Sequence, residues 1–208
     1  MPGSSLWLLP PPSHPLFPLL STLISSTLPL NFPLLTSSPL LPKHFFTPHM
    51  TLTSDISPQT YSSDPQEWLD SIPFPFAKEI KVRFTRIKSQ DFFYRRCFIG
   101  VEYEGIDSVV AKAREYGVEG VGEQEKVREW LGWWREAFGG HVSLIYGDEQ
   151  ITDEVMRKIE RVVIDAGVKL PDIDDDKGQW DGWQGGRVQL VKTDGPIKDW
   201  KVIAEREL

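Results

Sequence analysis

The sequence predicts an α+β fold, and three features carry that prediction. Several segments alternate apolar and polar residues as half-buried strands do, Ile80-Val82-Phe84 among them. Others place apolar residues three and four apart behind a capping residue, as in Thr152–Ala166. The two kinds mix without a regular strand–helix–strand beat, so a parallel doubly wound sheet is not expected. The 208 residues suit a single domain spanning 1–208.

The elements follow in chain order. Ser5–Leu9 (SLWLL) reads as a short strand ended by Pro10-Pro11-Pro12. Ser13 is placed to cap a helix with Pro15 in its first turn. Leu16, Leu19, Leu20, Leu23 and Ile24 keep helical spacing, and Pro29 should close it. Asn31–His44 is then a long proline-rich loop. Phe45–Asp55 alternates as a strand, and Asp64 with Pro65 opens a helix to Ile72. Strands at Ile80–Phe84 and Phe93–Tyr103 form a hairpin across Ser89-Gln90-Asp91. Helices are expected at Asp107–Tyr116, ending at Gly117, and at Gly122–Phe138, stopped by Gly139-Gly140. Val142–Tyr146 is a short apolar strand. Thr152–Ala166 is a helix closed by Gly167, and Asp172–Trp183 an acidic loop. Arg187–Thr193 and Trp200–Ala204 are the last strands.

Composition narrows the function. A net charge of −7 lacks the basic face that long nucleic acid requires, yet allows a small anionic substrate held by local donors. Cys97 is the single cysteine, so neither an intrachain disulfide nor a cysteine zinc cluster is available, which fits a reducing compartment. With four histidines and no HExxH or CxxC, no metal and no other cofactor is expected. The Leu16–Leu41 stretch lacks a preceding Lys or Arg and is broken by Pro18, Pro29, Pro33 and Pro39. It reads neither as a signal peptide nor as a membrane span.

Two segments repeat one pattern, Pro48-His49-Met50-Thr51-Leu52 and Gly140-His141-Val142-Ser143-Leu144. Residues i and i+2 of a strand share a face, so each histidine points the same way as its hydroxyl partner. Side by side, two such strands bring two imidazoles and two hydroxyls to one spot. That set suits phosphodiester hydrolysis: one neutral imidazole activates water, one imidazolium protonates the leaving oxygen, and hydroxyls bind the non-bridging oxygens.

These motifs resemble the two-histidine (2H) phosphoesterase superfamily, and within it the fungal-type 2′,3′-cyclic-nucleotide 3′-phosphodiesterases. The likeness extends through SLWLLPP at the start, FTPHMTLTSDI, HVSLIYGD and the C-terminal WQGGRVQLVKTDGPIKDWKVIAE. It implies a bilobal fold, two pseudo-symmetric lobes of antiparallel sheet backed by helices around a central groove. The implied chemistry opens nucleoside 2′,3′-cyclic phosphates to 2′-phosphates. It also takes ADP-ribose 1″,2″-cyclic phosphate, a tRNA-splicing by-product, to the 1″-phosphate. The resemblance implies His49 and His141 as catalytic residues, Thr51 and Ser143 as substrate-binding, and Tyr146 lining the site. His141 is then the base and His49 the acid, an assignment that pseudo-symmetry makes easy to reverse. Tyr146 lies off the alternation from His141, so the strand must end or bend before it. The family's proline before the second histidine is replaced by Gly140. A monomeric cytoplasmic enzyme acting on a small molecule is implied, with Golgi association.

Other residues receive blander expectations. Arg95-Arg96 could offer one side chain to a pyrophosphate, but are expected to face solvent. Trp130, Trp133 and Trp134 at helical spacing are expected in the core. Trp183 is balanced between base stacking and structure. The run Asp172-Ile173-Asp174-Asp175-Asp176 lacks an EF-hand's spacing, and His14 and His44 are expected at the surface. The rival functions are an RNA-processing 2H phosphodiesterase, a 2′–5′ RNA ligase-like enzyme and an inactive nucleotide-binding module.

Overall fold

The apolar alternation of the opening residues does produce a strand, β1 (Ser4–Leu9), and it lies near the middle of an eight-stranded sheet. The computed structural model describes residues 3–37, 46–171, 173 and 178–208. The remaining strands are β2 (Met50–Ile56), β3 (Lys81–Lys88), β4 (Cys97–Val101), β5 (His141–Ile145), β6 (Gly182–Gln184), β7 (Arg187–Lys192) and β8 (Lys201–Glu207). Their spatial order is β6-β3-β4-β5-β2-β1-β7-β8, with every pairing antiparallel.

That order divides into two four-stranded halves. One is β6-β3-β4-β5 and the other β2-β1-β7-β8, as the two-lobed expectation requires. They are joined through β2 and β5, whose register contains the single pair Met50–Val142. The two strands carrying the repeated pattern are therefore neighbours at the seam.

One face of the sheet forms the main core. Leu6, Leu8, Met50, Leu52, Val142 and Leu144 meet Leu16, Leu20, Val109, Val110, Ile159 and Val163 from the helices. The longer helices among the described residues are α1 (Leu16–Thr22), α2 (Pro65–Ser71), α3 (Asp107–Arg114), α4 (Gln124–Trp133) and α5 (Asp153–Asp165). Asp64 caps α2 by accepting from the Glu67 N–H, and Thr152 caps α5 by accepting from Val155. Arg206 on β8 donates to the carbonyls of Leu69, Asp70 and Ile72, satisfying the open end of α2. The other face is left for the groove.

Several boundaries differ from expectation, each for a local reason. Ser13 does not cap α1. The His14 Nδ1 accepts from Leu16 N–H instead, and the half-buried His14 ring sits edge-on to Trp180. Pro29 does not end the helical run. Leu23–Thr27 widens to five-residue hydrogen bonding, and Pro29 then occupies an N-terminal position of a new turn, Leu28–Asn31, where its missing N–H is harmless. Pro33–Thr36 is also a helical turn, so the expected loop is partly ordered. Gly117 does not stop its helix, which continues to Glu119 and ends at Gly120 with φ 102°. Gly117 instead permits close packing, since a Cβ there would lie 3.1 Å from Ile56. The segment before Cys97 is a tight turn, Phe93–Arg95, rather than strand. The acidic run at 172–176, Ile173 aside, and His44 lie outside the described residues.

Candidate active site

The antiparallel register places the chemistry. Counting one residue out from the Met50–Val142 pair sets His49 across from Ser143 and Thr51 across from His141. The two histidines are then diagonal neighbours, about 7–8 Å apart at the backbone. All five residues anticipated from the sequence, His49, Thr51, His141, Ser143 and Tyr146, line one groove of about 590 Å³. Phe46–His49 precede β2 rather than belonging to it, because Pro48 has no N–H for a ladder.

Each imidazole is held in the same way. The His49 Nδ1 lies 2.6 Å from the Thr47 carbonyl, and the His141 Nδ1 lies 2.9 Å from the Gly139 carbonyl. A carbonyl can only accept, so Nδ1 carries the proton in both rings and Nε2 is the nitrogen left for chemistry. Thr47 and Gly139 each stand two residues before their histidine, so the holding device repeats with the motif.

The surroundings differ. His49 lies face to face with Trp7, ring centroids 3.7 Å apart. His141 meets the edges of Phe98 and Phe138 at 5.0 and 4.9 Å. Burial pushes the His49 imidazolium down to about 4, against a smaller raising effect of the Thr47 carbonyl. Burial likewise pushes His141 down to about 3, with Arg95 and His49 opposing a second positive charge there. The free groove therefore holds two neutral imidazoles at neutral pH.

The hydroxyls are unequal as well. Thr51 is partly exposed, and its hydroxyl makes no hydrogen bond to another described residue. Ser143 donates to the Tyr94 carbonyl at 2.9 Å, so it must turn away from Tyr94 before it can donate to a phosphate. Tyr146 follows the end of β5 and turns into the groove, stacked on Phe46 at 3.6 Å. Burial raises its phenol well above the usual range, with Ser143 as its hydrogen-bonding neighbour. It stays a neutral donor.

Trp7, Tyr94, Phe138 and Trp200 complete the walls, and none was singled out as a site residue from the sequence. Strand alternation puts Trp7 opposite in sense to Leu6 and Leu8. Nothing local distinguishes it from a core tryptophan. Both arginines of the Arg95-Arg96 pair are buried, contrary to the solvent-facing expectation. Arg95 lines the groove, while Arg96 turns away to the carbonyls of Gly147 and Asp148 and to Asp91. Trp183 is a core residue edge-on to Phe84 and does not line the groove. Trp134 is core as expected, but Trp133 is 54% exposed and walls, with Trp130, a second cavity of about 350 Å³. Gly140 fits a tight place, since a Cβ would lie 2.9 Å from Ile106.

Among the described residues, no group of three or more His, Cys, Asp or Glu is arranged to hold a metal ion. Nor is any helix among them long and apolar enough to cross a membrane.

The chain matches known proteins along its whole length. The whole chain, residues 1–208, matches the family model described as cyclic phosphodiesterase-like protein. It is 53% identical over 214 residues to a Neurospora crassa protein, covering all of both chains. It is 42% identical over 212 residues to one from Phaeosphaeria nodorum, again covering all of both. A Yarrowia lipolytica protein is 26% identical over 230 residues, covering 99% of each. All three relatives are named 2′,3′-cyclic-nucleotide 3′-phosphodiesterase. With the groove, the seam and both histidine motifs in place, this chain belongs to the cyclic phosphodiesterase-like family.

Proposed function

We propose that this protein hydrolyses small cyclic phosphodiesters, opening nucleoside 2′,3′-cyclic phosphates to nucleoside 2′-phosphates without a metal ion. The observation that carries this reading is the convergence of His49 and His141 on one groove, each with Nδ1 held by a carbonyl and Nε2 left over. In-line displacement at phosphorus needs a base on one side and an acid on the other, which two imidazoles across a seam supply. ADP-ribose 1″,2″-cyclic phosphate, opened to the 1″-phosphate, is the second proposed substrate, which would place the enzyme in the disposal of tRNA-splicing by-products.

The local environments support distinct roles. His141 faces Arg95, which opposes a proton on it, so it is the neutral base that activates water. His49 lies under the electron-rich face of Trp7, which suits an imidazolium, so it is the acid for the 3′ oxygen. The substrate phosphate supplies the negative charge that raises the acid from its low value in the empty groove. Thr51, and Ser143 once turned from Tyr94, donate to the non-bridging oxygens as charge builds there. Tyr146 donates from the adjoining wall.

The test is incubation of the purified protein with 2′,3′-cyclic AMP in excess EDTA, followed by identification of the product. Adenosine 2′-phosphate formed at an undiminished rate is expected. Adenosine 3′-phosphate, or loss of turnover on chelation, would refute the proposal.

A further inference from the structure

The two strands that carry the histidines diverge soon after they meet. β5 begins at His141, and its register with β2 holds only Met50–Val142, so Ser54 and Asp55 run on past it. The helical turn Trp134–Phe138 comes in beside them, and a cavity of about 350 Å³ lies between. Thr51, Ser54 and Phe138 line both this cavity and the histidine groove, so the two spaces share a wall.

The lining is of two kinds, aromatic and polar. Trp130 and Trp133 supply indole surface from α4. Arg114 already covers Trp130, its guanidinium 4.6 Å from the ring and bonded to Glu119. Trp133 is 54% exposed, which leaves a large ring for a planar ligand. The polar part is Thr53 and Asp55. Thr53 is 2% exposed, yet its Oγ1 has no hydrogen-bond partner among the described residues. A buried hydroxyl left this way is costly, and a ligand acceptor relieves that cost. Asp55 stands at φ 63°, a left-handed conformation that Asp and Asn tolerate better than most residues. Its carboxylate accepts from the neighbouring Ser54 hydroxyl and joins no ion pair among the described residues.

We propose that this cavity selects the base of the cyclic nucleotide, with Trp133, Thr53 and Asp55 together favouring guanine. The inference rests on the adjoining groove being a cyclic-phosphodiester site. Stacking on an indole suits every base, so Trp133 holds the ring without choosing it. The choice falls to the polar pair, which meets the base edge. Guanine presents a ring N–H and an amino group side by side, matching the two oxygens of a carboxylate. Its carbonyl oxygen lies next along the same edge, where the Thr53 hydroxyl can donate to it. Adenine sets a ring acceptor against the carboxylate in place of that N–H. Uracil offers one N–H between two carbonyls, which the same carboxylate repels.

The experiment compares kcat/KM for the 2′,3′-cyclic phosphates of guanosine, adenosine and uridine. The wild type and Asp55→Asn are each measured, Asn being the replacement that keeps the left-handed backbone. In parallel, calorimetry follows binding of guanosine 2′-phosphate to the wild type and to Trp133→Ala, a change at an exposed position that spares the core. The wild type should favour guanosine over both other nucleosides by at least about tenfold, and Asp55→Asn should bring those ratios near one. Guanosine 2′-phosphate should bind about tenfold more weakly to Trp133→Ala. A wild-type ratio near or below one would overturn the proposal. So would a guanosine preference that survives Asp55→Asn, or equal binding by Trp133→Ala and wild type. Should no cyclic nucleotide be hydrolysed while guanosine 2′-phosphate binds in a Trp133-dependent way, the hydrolytic reading fails and the base site stands.

Discussion

Trp7 and His49 lie face to face, 3.7 Å between ring centroids and 11° from parallel, although 42 positions separate them in the chain. The stack fixes the His49 ring plane while the Thr47 carbonyl fixes its tautomer. Offset aromatic pairs contribute about 0.5–1.5 kcal/mol beyond area burial, and 1.4 kcal/mol is about tenfold in rate. Trp7→Ala is therefore expected to lower kcat on 2′,3′-cyclic AMP by about tenfold, whereas Trp7→Phe should retain most of it. Steady-state kinetics on variants with matched melting temperatures check this. Equal kcat for Trp7→Ala and wild type would show that the stack has no part in acid catalysis.

Substituting either histidine should be severe. His49→Ala and His141→Ala are each expected to cost about 10²–10⁴ in kcat, the range for loss of one general acid or base. A cyclic-ring analogue with an activated leaving group needs no acid, so it should restore turnover to His49→Ala and not to His141→Ala. Rescue confined to His141→Ala would reverse the two roles.

The depressed histidine values give pH dependences whose signs can be worked out. In the free enzyme both rings are neutral above about pH 4, yet the productive complex holds one proton. kcat/KM should thus rise about tenfold per unit as pH falls toward 4, while kcat levels off at higher pH because bound phosphate retains the proton. Stability responds too. The unfolded chain takes up protons below about 6.5 and the folded groove only near 4 and 3, so stability is lost as pH falls through this interval. Histidine NMR titration of the free protein should show both rings unshifted between pH 6 and 8. A midpoint near 6.5 for either ring would contradict the burial argument.

Away from the groove, Glu115 is 5% exposed and accepts from Lys112, the Gly122 N–H and Gln124. It thereby ties the end of α3 to the turn that starts α4, and Lys112 chiefly holds its carboxyl below the usual range. Glu115→Ala removes three part-buried hydrogen bonds to a charged acceptor, a loss expected to cost about 1–3 kcal/mol. A fall of a few to about ten degrees in Tm is expected by calorimetry, with the catalytic rate retained at low temperature. This contribution is present above the unfolded carboxylate value and fades as pH drops through the folded one. An unchanged Tm would show the carboxyl to be replaceable by water.

The proposed catalytic pair is legible in the sequence because strand alternation is short-range: His49 with Thr51 and His141 with Ser143 follow from period two. That the two strands adjoin rests on one backbone pair, Met50–Val142, between residues 92 positions apart, and no local pattern encodes it. Helix boundaries slipped where hydrogen bonding widened, at Leu23–Thr27 and Glu115–Glu119, because apolar spacing barely changes across such a turn. Arg95 was misjudged as solvent-facing for a related reason. Its turn at Phe93–Arg95 breaks the alternation on which that judgement depended, and Phe138, which covers it, comes from a distant helix end. The groove walls Trp7, Tyr94 and Trp200 likewise come from three remote segments.

A crystal structure with a vanadate ester of adenosine bound in the groove tests the central claim most directly. The account predicts vanadium between the two rings, with the Nε2 atoms of His49 and His141 each hydrogen-bonded to an opposite apical oxygen. Vanadate bound to one imidazole alone, with the other turned away, would contradict it.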